Sequence, residues 1–314
     1  MQLAQADLRS SGPKKENIKT ILYRPFDLRF TYHTGNVKGF HCMPREGVMR
    51  HMTAGKNMAM IATRQTTDQW DNFVTRSLCG HKSCAAFDIN SVFPIYLYGN
   101  GDLPPSLFER TNGRRPNLSE EFVQNFADKL ALKFVSDGQG NLKKTFGPED
   151  IFHYAYAVFH SPAYRTRYAE FLKIDFPRLP LTSDKALFAK LVKLGQKLTG
   201  LHLLENVPKP HATYPIAGDN IVTRTGKSAY KPPTAESPGR VYINDSQYFQ
   251  NVPPEVWEFH VGGYQVCEKW LKDRKGRTLS YDDIEHYRKT TEALRQTIGL
   301  MEEIDQTIPA WPLE

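Results

Sequence analysis

Guanidinium, amide and ammonium side chains at the ends of short apolar segments can grip and read a polyanion. The first hundred residues of this 314-residue chain supply them: Arg24, Arg29, Arg45, Arg50, Lys56, Arg64, Gln65 and Lys82. That stretch holds 13 Lys or Arg against 7 Asp or Glu, so nearly all of the chain's net charge of +7 is concentrated there. Cations set among aromatic and amide residues form the surface expected to meet a nucleic acid. Arg64 and Gln65 end an apolar strand and enter the polar loop 66–69. Arginine can fork onto guanine and glutamine onto adenine, which makes this pair the leading candidate for base readout. The competing reading of Arg64 is a surface ion pair with Asp68 or Asp71. Arg24 and Arg29 flank Asp27, so they either face DNA or form an internal ion pair. Arg45, Arg50, Lys56 and Lys82 are scattered near loops and suit phosphate contacts. Towards the end of the chain Trp270 and Leu271 should pack inward, leaving Lys272, Arg274, Lys275 and Arg277 for solvent or a DNA backbone.

Other chemistries are incomplete. Gly226-Lys227-Ser228 has the form of the end of a phosphate-binding loop, but the required first glycine would fall at Ile221. Cys79, His81 and Cys84, with His41 and Cys42, could supply zinc ligands, yet they lack zinc-knuckle spacing and read better as buried thiols. Asp273-Arg274-Lys275 matches half of a metal-dependent nuclease signature and lacks an acidic partner on a preceding strand. An amino-methyltransferase needs Asn or Asp, two prolines and an aromatic ring; the pairs Pro104-Pro105, Pro232-Pro233 and Pro253-Pro254 do not fit. No catalytic residue, metal ligand or cofactor site is assigned.

The elements that must position the basic residues are mixed. Ile18–Tyr23, Arg29–Thr34, Met58–Gln65, Phe73–Leu78, Cys84–Ile89 and Val92–Tyr98 read as strands. Helices follow, from a capping box at Asn117 and Glu120, from Pro148 to His160, on to Leu172, and from Ser183 to Glu205. Strand-like pieces return at Tyr214–Ile216, Ile221–Arg224 and Arg240–Asn244. Ser280 and Asp283 cap a last helix to Ile304, with Ile284, Tyr287, Leu294, Ile298 and Met301 on one apolar stripe. The expected fold class is α+β: a leader or linker (1–17), a β-rich recognition subdomain (18–105), a helical subdomain (106–205), a second strand-containing segment (206–252) and a C-terminal helical segment (253–314). That last segment carries 8 basic against 12 acidic residues, which suits packing or a protein partner better than DNA. The longest apolar run, Tyr154–Phe159, is too short to cross a membrane, and the polar start lacks a secretory signal. Four cysteines without a paired framework suit a reducing cytoplasm.

Six ordered blocks carry a family resemblance: Leu22–Arg29 with Tyr32; Val48–Met52 leading to Arg64-Gln65; Val92–Tyr98; Phe171–Arg178; Arg240–Asn244; and Gly262–Gln265 with Trp270–Arg277. From about Ile18 to Ile304 the chain resembles the C-terminal target-recognition domain of type ISP restriction-modification enzymes. In those single polypeptides nuclease, helicase-like and adenine methyltransferase modules come first. The resemblance implies that this region chooses the duplex DNA sequence. It also implies that the preceding modules methylate, translocate and cut, using S-adenosylmethionine, ATP and magnesium, and that no cofactor binds here. Two other classes stay open: a protein-interaction scaffold within a larger DNA-processing enzyme, and a self-contained DNA-processing enzyme with an unfamiliar site.

Overall fold

The block Tyr23–Arg29 folds as a hairpin. In the computed structural model, which describes residues 2–67, 69–99 and 113–313, β1 (Ile18–Arg24) pairs antiparallel with β2 (Asp27–Tyr32), Arg24 opposite Asp27. Pro25 presets the first corner. Phe26 takes φ +60°, a conformation normally left to glycine. Its ring repays that strain: it is 3% exposed and meets Phe73 and His202 edge-on at 5.1 and 5.7 Å.

The polar start, expected as a leader, is the helix α1 (Gln2–Ser11). Asp7 holds it to the loop after β2, accepting bonds from Thr34 Oγ1 (2.7 Å), Asn36 Nδ2 (2.8 Å) and the Phe40 amide (3.1 Å). A second helix, α2 (Glu46–Thr53), interrupts the region read as strands. Beyond it β3 (Ala59–Thr63), buried along its whole length, is the centre of a sheet. Its neighbours are β4 (Asn72–Thr75) and β6 (Asn90–Pro94), both antiparallel to it, while β5 (Leu78–Cys79) runs parallel to β1. The expected strand Cys84–Ile89 is instead a run of bends. Val92–Tyr98 divides at Ile95, whose amide donates to Met58 in the main sheet and whose carbonyl serves Asn117. The second half, β7 (Tyr96–Tyr98), pairs with β8 (Arg114–Pro116).

The helical half follows its sequence signals closely. Ser119 caps α3 (Glu120–Leu130), accepting from the Phe122 amide; Asn117, the expected cap, donates its side-chain amide to Pro94 instead. Then come α4 (Pro148–Phe159), α5 (Pro162–Arg167), α6 (Ala169–Leu172) and α7 (Lys185–His202), the last capped by Asp184. Short strands at 230–231, 240–242 and 248–250 form one sheet, and 260–261 pairs with 264–265 between α8 (Pro254–Trp257) and α9 (Val266–Lys272). Tyr214–Ile216 is irregular, with an isolated bridge just before it from Thr213 to Gln250, and Ile221–Arg224 is reduced to the bridge from Ile221 to Thr278. The box Ser280/Asp283 opens α10 (Tyr281–Thr307), with Ile284, Tyr287 and Leu294 buried and Ile298 packed against the core.

One apolar core runs from Leu22 in β1 to Leu313. At its middle α4 and α7 approach so closely that a Cβ on Gly195 would lie 1.8 Å from the His153 carbonyl oxygen. His202 bridges the helices through Tyr156 Oη (2.6 Å) and Thr297 Oγ1 (3.0 Å). Burial lowers the His202 pKa to about 3 and that of His153 to about 4. In the unfolded chain both titrate near 6.5. Below that pH the unfolded state binds more protons, so stability is full above 6.5 and falls on acidification, by up to about 1.4 kcal/mol per pH unit for each histidine. Urea midpoints should therefore drop steadily from pH 7 to pH 4.5; an unchanged midpoint at pH 5 would refute it.

Candidate nucleic-acid interface

Three loops meet beyond the Thr63 end of β3. Arg64 to Thr67 leave the strand, the loop 80–89 enters β6 at the neighbouring Asn90, and residues 173–176 follow α6. The Thr66 amide donates to the Lys173 carbonyl (3.1 Å), the Thr67 amide to Asp88 Oδ2 (3.0 Å), and Phe93 meets Phe176 edge-on at 5.3 Å. Arg64 and Gln65 stand exposed at this junction. Arg64 is paired, but with Asp175 rather than Asp71, through Nε alone at 3.4 Å, with side chains 71% and 44% exposed. Asp68 lies outside the described residues, and Asp71 is buried against Arg165 at 2.7 Å. An exposed, single-bond pair is worth about 0–1 kcal/mol, so it leaves the guanidinium fork available to a ligand.

The loop 80–89 is fixed from elsewhere in the chain. Arg24 Nη1 donates to the Lys82 carbonyl (3.1 Å), and Tyr264 Oη donates to the carbonyls of Lys82 (3.0 Å) and Ala85 (3.3 Å). Ala86 N–H donates to the Gly262 carbonyl (2.8 Å). Gly262 has φ +56°, and a Cβ there would lie 1.7 Å from the Cys84 carbonyl oxygen, so only glycine lets the two backbones touch. Sequence reasoning missed this clamp. The pair Gly262-Gly263, both with positive φ, was the available signal.

Several candidate DNA contacts are spent inside the fold. Arg29 donates to Asp27 Oδ2 through Nη2 (2.8 Å) and lies 3.7 Å over the Tyr23 ring. Arg274 donates to Asp27 Oδ1 (3.1 Å) and lies 3.6 Å over Trp270, which is buried with Leu271. Burial alone would raise the Asp27 pKa; the bonds from Arg29 and Arg274 outweigh it and hold the carboxyl below its usual range. Of the two readings offered, the geometry gives Arg29 the internal ion pair, which Arg274 joins, because a carboxylate 2% exposed needs its cations; Arg24 instead bonds the Tyr23 and Lys82 carbonyls. Arg50 is half-buried on α2, with Nε shut from solvent.

The remaining cations come from separate elements. Lys82 sits in the clamped loop, and exposed Arg45 lines a cleft of about 490 Å³ together with His41, His81 and Ile89. Lys56, exposed, precedes β3 at the end opposite Arg64, the strand itself spanning roughly 17 Å. Lys272, Lys275 and Arg277 are exposed around the end of α9. Burial pushes Cys79 up to about 12 and Cys84 well above its ordinary value, which disfavours thiolate ligation. Among the described residues no three His, Cys, Asp or Glu side chains converge on a metal position.

An α+β frame thus presents three loops beyond one end of β3. Over residues 2–303 the chain matches the model of the Type ISP C-terminal specificity domain, and it belongs to that family. Comparison with curated proteins finds no match. Among solved structures it is similar to the ATP-dependent Type ISP restriction-modification enzyme LlaBIII bound to DNA (TM-score 0.69, 19% identity), covering 100% of this chain and 20% of that one. It is also similar to the DrdV–DNA complex (TM-score 0.69, 22% identity), covering 95% of this chain and 29% of that one. A nuclease-deletion mutant of the Type ISP enzyme LlaGI, in complex with a DNA substrate mimic, has TM-score 0.63 and 20% identity, covering 95% and 21%. The chain therefore spans about a fifth to three tenths of these relatives. No helix among the described residues is long and apolar enough to cross a membrane.

Proposed function

We propose that this chain selects a duplex DNA sequence for a type ISP restriction-modification enzyme, through the three-loop junction with Arg64 and Gln65 as base readers. The observation that carries the reading is the exposure of this fork-and-amide pair on a fixed frame, in a member of a specificity-domain family whose solved relatives are bound to DNA. Lys82, Arg45, Lys56, Lys272, Lys275 and Arg277 act as phosphate anchors. Adenine methylation, ATP-driven translocation and cleavage belong to methyltransferase, helicase-like and nuclease modules of the same polypeptide, which bind S-adenosylmethionine, ATP and magnesium. The enzyme works in the cytoplasm, where DNA is accessible and its four free cysteines stay reduced.

Arg64→Ala or Gln65→Ala should each relax preference at one position of the site, at a cost of about 1–3 kcal/mol in discrimination. Lys82→Ala should weaken binding to all sequences alike and lower the salt slope by about one. Selection from a randomised duplex library at fixed salt decides the matter. An unchanged preferred sequence in both reader variants, or a binding constant insensitive to salt, would sink the proposal.

A further inference from the structure

Two large apolar side chains stand in solvent beside the base readers. Phe87 in the loop 80–89 and Ile174 after α6 are each 69% exposed, and Ile89 is 56% exposed. Phe87 and Ile174 adjoin the residues that hold the segment 64–67, Asp88 bonding Thr67 and Lys173 bonding Thr66, while Ile89 lines the cleft with Arg45. None of this exposure serves the fold, whose core includes none of the three. Nor does Phe87 stand on a slack loop, because Arg24, Tyr264 and Gly262 pin the backbone that carries it.

Resting on the reading of this junction as a DNA-recognition surface, we infer that Phe87 and Ile174 determine specificity by contacting the 5-methyl group of thymine. Base-reading groups lie beside them: Arg64, held only by one bond to Asp175, and Gln65 stand exposed between Asp88 and Lys173, the latter paired with Glu170. An aromatic or aliphatic side chain gains nothing from a phosphate. In the major groove every base edge is a donor or an acceptor except the thymine methyl, the one apolar group there. Arg64 and Gln65 would read polar edges, and Phe87 and Ile174 would read methyls at neighbouring positions.

The test is a selection with the full chain, run once on a randomised thymine library and once on the same library with deoxyuridine replacing thymine. The wild type should lose about fourfold of preference at one or two positions in the deoxyuridine library, the value of one buried methyl. Phe87→Ala, at an exposed site that leaves the core intact, should show that same loss in the thymine library, with no further loss in deoxyuridine. Phe87→Leu should retain the preference. If Phe87→Ala and Ile174→Ala both discriminate thymine from deoxyuridine as the wild type does, the inference is overturned while sequence-specific binding stands. It is likewise overturned if Phe87→Ala weakens both libraries equally, as loss of a wedge between base pairs would. A wild type with no sequence preference in either library would overturn this inference and the proposed function together.

Discussion

Gly262→Ala is expected to cost about 3 kcal/mol of folding stability and to broaden DNA preference in the same variant. The added Cβ would lie 1.7 Å from the Cys84 carbonyl oxygen and 2.4 Å from its carbon, both backbone atoms that no rotamer change can move. The loop 80–89 must therefore shift, breaking the bond from Ala86 to the Gly262 carbonyl and straining that from the Gly262 amide to Asp71. Gly276→Ala is the matched control. It too has a positive φ, +79°, but nothing lies within 4 Å of its Cβ position, so it carries only the left-handed penalty of about 1 kcal/mol. Urea denaturation gives the stability difference, and library selection gives the preference. Equal stability losses in the two variants would show that the contact with Cys84 does not matter.

Asp27→Ala should be nearly as damaging, by about 2–4 kcal/mol, through an ion network rather than a steric clash. The carboxylate is 2% exposed and serves two guanidinium groups at once, Arg29 on β2 and Arg274 beyond α9. Without it Arg29 and Arg274 keep only their longer ion contacts, to Asp273 (3.6 Å) and Asp283 (3.7 Å) respectively. Because Arg29 is about one third exposed, water recovers part of the loss, which sets the estimate below that for a fully buried pair. The hairpin turn should also loosen from α10, since His286 Nε2 donates to the Phe26 carbonyl at 2.7 Å beside it. Removing Arg274 as well should recover stability in a double-mutant cycle; additive losses would mean that the two residues are not coupled.

These residues also mark how far the sequence could be read. The capping box at Ser280 and Asp283, Pro148 at the start of α4 and the strand Ile18–Tyr23 are local signals, and each produced the element it encodes. Helix α1 was obscured because its stabilising bonds come from Thr34, Asn36 and Phe40, about thirty positions away. The apolar content of Cys84–Ile89 suggested a strand, but Phe87 and Ile89 face solvent and the backbone is committed to Gly262 and Tyr264. At the candidate site, the exposure of Arg64 and Gln65 was legible from an apolar strand ending in a polar loop. The fate of Arg29 and Arg274 was not, because a basic residue near a carboxylate reads the same in sequence whether the pair is buried or wet.

The clamp on the loop 80–89 has a consequence for how the protein is made. Tyr264 reaches back 182 positions to the Lys82 carbonyl. A ribosome adding about 5–20 residues per second delivers that tyrosine on the order of 10 to 40 s after the loop has emerged. Throughout that interval Arg64 and Gln65 are already synthesised, while the neighbouring loop still lacks the bonds to Tyr264 and Gly262. If the junction reads DNA as proposed, sequence discrimination is switched on late in translation, because the loop beside Arg64 and Gln65 is not fully fixed until Gly262 and Tyr264 are in place.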